Sequence, residues 1–424
     1  MSRSLRITLL SLTLTTVFCI APAKNEAFYT SVKSLGMAGA VAAHPLDSLL
    51  STYNPGGLGF VGDRFDLGVH WAKETGKTQY SDNPLVDGSF SSHHGSENLV
   101  LPEFGINKCT CDIFTWGFTL YNRSFFKTNY PYANPLYGST KLGAEYWHIA
   151  ASITGSVVIA RDHCLGITLD LHGQRLKVNG LEEFDSPLFS SHPHSVTNKG
   201  YDYSGGFGGT IGWMSRVSDC VSIGVAYSPK VHMSRLKDYK GLVADGGRVD
   251  IPQRVVGGVA IRMLSNFTVA LDMEHINYNF IKPIHEPLFP ELDDDSDEDE
   301  NNSGVLLGNT DGSGLGWMDQ MIFRLGVDWD VNEDVSLRCG YSYQRSPIHS
   351  EQTFANALTP FLMQQVVTVG GSLQYASNEI SFYGAYALKR KMYGKRSIPE
   401  FLGGGEVNLS EEKWIAGLSW GRFF

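Results

Sequence analysis

The feature that most constrains this chain is alternation. Long segments place an apolar side chain at every second position. Phe65, Leu67, Val69 and Trp71 alternate with Asp66, Gly68, His70 and Ala72. Phe114, Trp116, Phe118 and Leu120 alternate with Thr115, Gly117 and Thr119. Leu165, Ile167, Leu169 and Leu171 alternate with Gly166, Thr168, Asp170 and His172. Val335, Leu337, Cys339, Tyr341 and Tyr343 alternate with Ser336, Arg338, Gly340, Ser342 and Gln344. Successive side chains of a strand point to opposite faces, so each segment reads as a strand with one apolar and one polar face. A sandwich core produces the same pattern, so lengths must decide.

The spacing predicts strands near 65–73, 99–108, 113–123, 145–159, 163–177, 202–215, 219–231, 253–263, 266–278, 320–330, 334–345, 364–376, 379–392 and 412–424. That is about fourteen, an even number, and most exceed the usual five or six residues. Long connections (74–98, 124–144, 178–201, 232–252, 279–319, 346–363, 393–411) alternate with short ones (109–112, 160–162, 216–218, 264–265, 331–333, 377–378). Long loops on one side and tight turns on the other describe an outer-membrane barrel. Inside a bilayer every backbone amide must be paired, so the sheet must close. Trp71, Tyr121, Trp147, Trp213, Tyr227, Tyr278, Trp329 and Tyr393 lie near strand ends, where aromatic girdles form. The last strand carries Trp414, Ala416, Leu418 and Trp420 and ends on Phe424, with Arg422 interrupting its apolar face. Such an ending resembles the signal read by the bacterial barrel-assembly machinery.

Composition agrees once the barrel is considered. The 42% hydrophobic content excludes a disordered chain, and the net charge of −10 opposes nucleic-acid binding through a basic surface. After residue 24 no apolar run reaches helical-span length, and the mean hydropathy is −0.14. The 424 residues would by default suggest two or three soluble domains. Residues 1–23 read instead as a secretory signal peptide. Arg3 and Arg6 precede the apolar stretch Ile7 to Ile20, and Ala21-Pro22-Ala23 closes it. Loss of those two cations moves the net charge from −10 to −12. Cys109, Cys111, Cys164, Cys220 and Cys339 remain, an irregular set that is no disulfide framework. No metal site or cofactor is expected.

Residues 24–62 are different. They are rich in Gly, Ala and Ser, yet Leu35, Met37, Val41, Leu46, Leu49 and Leu50 need burial. The lumen of the barrel is the obvious place, which makes 24–62 an expected hatch and 63–424 the barrel. The expected fold is all-β, a transmembrane antiparallel barrel of about fourteen strands with an N-terminal plug.

Gly36-Met37-Ala38-Gly39-Ala40, then Asp47, then Asn54-Pro55-Gly56-Gly57-Leu58 resemble the N-terminal signature of the FadL/TodX family of outer-membrane transporters. Gly56 stands where the family has alanine. Asp250-Ile251-Pro252 is similar to the family's Leu-Pro-Glu segment, with Gln253 in place of the glutamate. Leu337-Arg338-Cys339-Gly340-Tyr341 and Ser346-Pro347-Ile348 resemble two further family elements. The resemblance implies a fourteen-stranded barrel in the Gram-negative outer membrane, plugged by a hatch that includes Gly36, Gly39, Asp47, Asn54, Pro55 and Gly56. It implies capture of hydrophobic molecules, long-chain fatty acids first, by an external groove. Hatch movement or a kink in the third strand would then open a lateral exit.

Candidate capture loops hold Phe125, Phe126, Tyr130, Tyr132, Leu136 and Tyr137, and Leu181, Phe184, Leu188 and Phe189. Exposed aromatic clusters mark interaction sites, although the same residues could pack the loops together. A fatty-acid carboxylate needs a cation, and Arg338 is one candidate. Arg175, Arg254, Arg262, Arg324 and Arg338 are all expected on the inner face, where a ladder with Asp170, Asp272, Glu274 and Asp328 is the alternative role. The run Glu291 to Glu300 holds eight carboxylates and reads as a solvated external loop or a cation bridge to outer-membrane lipid. Gly117 permits a third-strand kink. The rivals are a general diffusion porin, an adhesin-like barrel and an outer-membrane enzyme. The enzyme fails because His148 and Ser152 stand about 13 Å apart on one strand face.

Overall fold

The computed structural model of the chain describes residues 31–86, 91–94, 98–160, 162–288 and 306–424. The expected signal peptide and the acidic run 291–300 lie outside the described residues. The first seven barrel strands are β1 (Arg64–Ser81), β2 (Asn98–Cys111), β3 (Phe114–Ala133), β4 (Lys141–Ala160), β5 (His163–Asn179), β6 (Asp202–Arg216) and β7 (Val221–Ser228). The second seven are β8 (Gln253–Leu264), β9 (Phe267–Asn277), β10 (Gln320–Asp330), β11 (Val335–Gln344), β12 (Gln365–Tyr375), β13 (Asn378–Met392) and β14 (Glu406–Phe423). Each pairs antiparallel with its sequence neighbour, and β14 pairs with β1 from Arg64↔Phe423 to Ser81↔Glu406, closing the fourteen-stranded ring. A further short strand, Ser91–His94, pairs with Gly76 to Gln79 of β1.

Closure sorts the side chains. On β5, Leu169 is 67% exposed on the outer face, whereas Thr168 points inward and is buried. Ile153, Phe207, Val369 and Leu418 extend the outer apolar surface, while Thr119, Ser152, Asp272, Glu274 and Arg324 line the inside. Short turns occupy one rim, and the described residues of the connections 82–97, 134–140, 180–201, 229–252, 278–319, 345–364 and 393–405 occupy the other.

Four strands run at least four residues further into the long-loop rim than the alternation suggests, among them β4, which starts at Lys141 rather than 145. β1 reaches Ser81 rather than 73, β3 reaches Ala133 rather than 123, and β14 starts at Glu406 rather than 412. The reason is the bilayer edge. Beyond Trp71 the outward positions of β1 become Lys73, Thr75, Lys77 and Gln79, so the strand continues after its greasy face has ended. Phe125, Phe126, Tyr130 and Tyr132, expected in a loop, therefore stand on β3. Two arginines also depart from the expected inner face. Arg175 shares the outward parity of Leu169 and Leu171, because the β5 register runs on without a bulge, and it packs over Trp147 and Tyr201. Arg262 is exposed at the short-turn rim.

Residues 31–62 lie inside the ring. Ser31 caps a single turn, Val32–Leu35, by accepting from the Ser34 amide. Asp47 caps Ser48–Thr52, and Asn54 caps Pro55–Phe60, where proline fits the first helical position. Gly39 supplies a backbone φ of 80° between these turns. At Gly56 an added Cβ would stand 2.6 Å from the Trp213 Cα in the wall, so only glycine lets the chain approach that strand.

The wall grips this segment through backbone amides. Asp272 Oδ2 accepts from the Val41 and Ala42 N–H groups, each at 2.8 Å. Glu103 accepts from Val32 at 3.0 Å, and Asp66 from Ser48 at 3.0 Å. Lys33 pairs with Glu379 at 2.6 Å and His44 with Asp328 at 3.0 Å.

Candidate ligand-binding site

The long connections fold over one another rather than standing free. Their apolar residues join one buried cluster that includes Tyr130, Leu136, Tyr137, Leu181, Phe184, Leu236, Tyr239, Phe354 and Leu362. Tyr137 stacks on Phe354 with ring centroids 4.6 Å apart, and its hydroxyl donates to the Phe354 carbonyl at 2.9 Å. Burial pushes the Tyr137 hydroxyl well above its ordinary range, so it stays a neutral donor. Trp317 stacks on Phe361 and donates to Asn356 at 2.6 Å.

Within this cluster is a cavity of about 220 Å³. Phe125, Phe126, Ala144, Tyr146, Leu176 and Val178 form its barrel side. Tyr137, Phe184, Leu242, Val243, Ile284, Trp317, Phe354 and Phe361 reach it from the connections. Its polar lining residues include Ser124, His148, Asp250, Ser313 and Thr359, while Tyr137, Tyr146 and Trp317 line it as aromatic residues. The carboxylate is already satisfied: Asp250 meets Lys230 at 3.2 Å and His232 at 3.0 Å, and accepts from the Met233 amide at 2.9 Å. His148 shares a 3.1 Å hydrogen bond with His172. No lysine or arginine is among the described residues that line the cavity. Such a space favours a ligand that offers surface rather than charge.

Below the cavity the wall is irregular. β2 and β3 pair from Cys111↔Phe114, with a bulge between Cys109 and Cys111, to Phe104↔Leu120, and among the described residues no pair follows. β2 continues to Asn98 along β1 alone, while β3 continues along β4. Pro102 lies at the divergence and has no N–H to donate. Across the gap Asn122 Nδ2 reaches the Pro102 carbonyl at 3.0 Å. The β3–β4 register also slips between Asn122 and Ser124, leaving Arg123 as an extra residue. The interruption thus falls at Asn122 to Ser124 rather than at Gly117, which is paired on both sides. Phe125 follows directly. It lines the cavity and packs in a second cluster with Val32, Leu35, Ala72 and Leu99, linking cavity, wall and lumenal segment.

Among the residues singled out from the sequence, Phe125, Phe126, Tyr137, Leu181 and Phe184 line the cavity. Tyr130 and Leu136 belong to the surrounding cluster, and Phe189 packs against it. Tyr132 and Leu188 are exposed and take no part in the lining. Arg338 lies elsewhere, on the lumen wall beside Gly36, with Asp328 at 3.0 Å and Ser372 at 2.6 Å. Arg254 and Arg324 both meet Glu274, at 3.4 and 2.6 Å, so these arginines form a ladder of lumenal ion pairs. The contributions of 229–252, 278–319 and 345–364 carry no periodic signal. Only the apolar run Leu358 to Met363 could have pointed to one of them.

A family model described as outer membrane protein transport protein (OMPP1/FadL/TodX) matches residues 20–387. Among solved structures, a Pseudomonas aeruginosa FadL homologue is 15% identical with a TM-score of 0.71, over 95% of this chain and 100% of that one. The P. putida toluene transporter TodX is 16% identical with a TM-score of 0.68, over 94% and 99%. The Ralstonia pickettii toluene transporter TbuX is 14% identical with a TM-score of 0.62, over 94% and 99%. At these identities the likeness is one of fold. No curated protein matches the chain.

Proposed function

Since the chain belongs to the outer membrane protein transport protein family (OMPP1/FadL/TodX), we propose that it carries hydrophobic molecules inward across the outer membrane, with residues 24–62 acting as a hatch. The chain is a transport protein rather than an enzyme. The observation that carries the reading is the aromatic-lined cavity under the long connections, whose carboxylate is already engaged by Lys230 and His232. Apolar ligands enter such a space because burial removes their surface from water, at about 25 cal/mol per Å². The gap between β2 and β3 supports a lateral exit, since it lies beside Phe125 at the cavity floor.

Long-chain fatty acids are the first ligand class we assign, from the sequence resemblance. In that reading the acyl chain fills the cavity and the carboxylate stays at the mouth, or meets Arg338 once the lumenal segment has moved. A second reading is favoured by the lining itself. With no described cation in the cavity, an uncharged compound such as a monoaromatic hydrocarbon brings no charge that needs a partner there. Two of the similar folds are toluene transporters by name, and that chemistry suits the same lining.

Uptake of radiolabelled oleate and of radiolabelled toluene by a transporter-deficient Gram-negative strain carrying this gene tests both readings. We expect accumulation of at least one, and loss of most of it in Phe126→Arg, which places a charge at a half-buried lining position. Oleate uptake alone selects the fatty-acid reading, and toluene uptake alone selects the second. Accumulation of neither, with the barrel folded in the membrane, would overturn the proposal.

A further inference from the structure

The outer surface of β13, β14 and β1 carries a cluster of cations just above the aromatic girdle. Lys73 and Lys77 on β1, and Lys389, Arg390 and Lys391 on β13, are all exposed. The register aligns them. Trp414 of β14 pairs with Lys73 on one side and Tyr386 on the other. Ser410 of β14 pairs with Lys77 on one side and Lys391 on the other. Both Ser410 and Trp414 have outward parity, so the upper row stands about 13 Å further along the strand. A bulge between Ala387 and Arg390 leaves Leu388 and Lys389 both exposed.

The lower row marks the edge of the apolar zone. Tyr386 and Trp414 pack with ring centroids 4.4 Å apart, and amphipathic rings of this kind sit where hydrocarbon meets head groups. The cations above them therefore stand at head-group level on the long-loop side, which in an outer-membrane barrel faces outward. Among the described residues no carboxylate lies within ion-pair distance of any of the five. Glu412 shares the outer face and is reached by the Tyr386 hydroxyl at 3.4 Å, and Glu406 sits at the upper end of β14. Glu74 and Glu411 point inward and are buried.

The cluster belongs to one sector. On the adjoining strands β9 to β12 the outward positions Met273, Phe323, Tyr343 and Val367 carry no charge, with Val367 directly beside Tyr386. The outward Arg175 is bound to Glu145 at 2.8 Å. Lys177 on β5 also faces outward, over the Tyr201 ring, but five exposed cations gather across β13, β14 and β1 in a chain of net charge −10. We propose that this patch binds the phosphorylated lipid A head group of lipopolysaccharide in the outer leaflet. Lysines offer mobile point charges to phosphate, Arg390 offers a planar fork, and Tyr386 and Trp414 sit beneath for the acyl boundary. The proposal rests on outer-membrane location alone and is independent of what the cavity carries.

The test uses the full mature barrel purified in detergent and titrated with deep-rough lipopolysaccharide, with bound lipid counted by native mass spectrometry. Replacing Lys73, Lys77, Lys389 and Lys391 together by Gln should weaken binding about tenfold or more and flatten its salt dependence. The same four changed to Arg should retain it. A control in which Lys141, Lys199, Lys237 and Lys240 become Gln should stay within about twofold of the parent by the same electrostatic argument. Heat-dependent gel mobility reports that each barrel is folded. Dephosphorylated lipopolysaccharide should bind the parent as weakly as the intact lipid binds the Gln variant. Equal binding by the parent and the patch variant would overturn the proposal, and so would phosphatidylglycerol binding as tightly as lipopolysaccharide.

Discussion

Asp272 shows how one side chain holds a segment far away in sequence. A single carboxylate oxygen accepts two amides of the lumenal segment, those of Val41 and Ala42. Truncation to alanine would leave two buried donors without this partner, each at a cost of about 1–3 kcal/mol. β9 would keep its ladder, because strand pairing does not use the side chain, and Arg324 would keep Glu274 at 2.6 Å. We expect Asp272→Ala to loosen residues 36–47 while the barrel still assembles. A penalty of about 2 kcal/mol corresponds to roughly thirtyfold in population. Amide exchange at Val41 and Ala42 should quicken accordingly, and unchanged protection there would refute the latch. Nothing in the sequence singled out Asp272 for this task. The apolar lead announced its need for burial, but which wall group would meet its amides depends on the barrel register.

At the scale of elements, all fourteen strands were legible, because lipid outside and polar groups inside impose the alternation directly. Their upper ends were not, since above the bilayer the outward face turns polar, as at Lys73 to Gln79 on β1. The cavity was legible in half. The aromatic stretch from Phe125 to Tyr137 stands out in one dimension, whereas Val243, Ile284 and Phe361 meet it only after separate connections fold together. The β2–β3 gap was not legible at all: Gly117 drew attention, and the break came at Pro102 and Asn122. A lateral exit through that gap makes a specific prediction. In a background with Cys109, Cys111, Cys164, Cys220 and Cys339 changed to serine, Pro102→Cys and Asn122→Cys joined by a short bis-thiol reagent should cut hydrophobic uptake about fivefold by blocking the exit. Each single-cysteine variant treated alike should be unaffected. Full uptake through the cross-linked barrel would send the ligand by another route.

For the whole molecule, the distinction that matters is between a plugged barrel and an open one. Closure of β14 on β1 completes the wall without help from residues 31–62. The lumenal ion pairs Arg254–Glu274, Arg324–Glu274 and Arg338–Asp328 join wall to wall and would persist without the segment. The segment instead covers the apolar wall groups Ala226, Val256, Ala260 and Ala270, and without it water would reach them. Deleting residues 31–60 should therefore leave a folded barrel of lower stability with a continuous aqueous path. In planar bilayers the intact protein should be nearly silent and the deletion should conduct. The deletion should also admit small sugars, because the remaining lumen is lined by charge and hydroxyl groups. If both forms conduct alike, the segment does not seal the lumen and the general diffusion porin becomes the better description. The aromatic cavity would then lie beside a permanently open pore and would have no gate to serve.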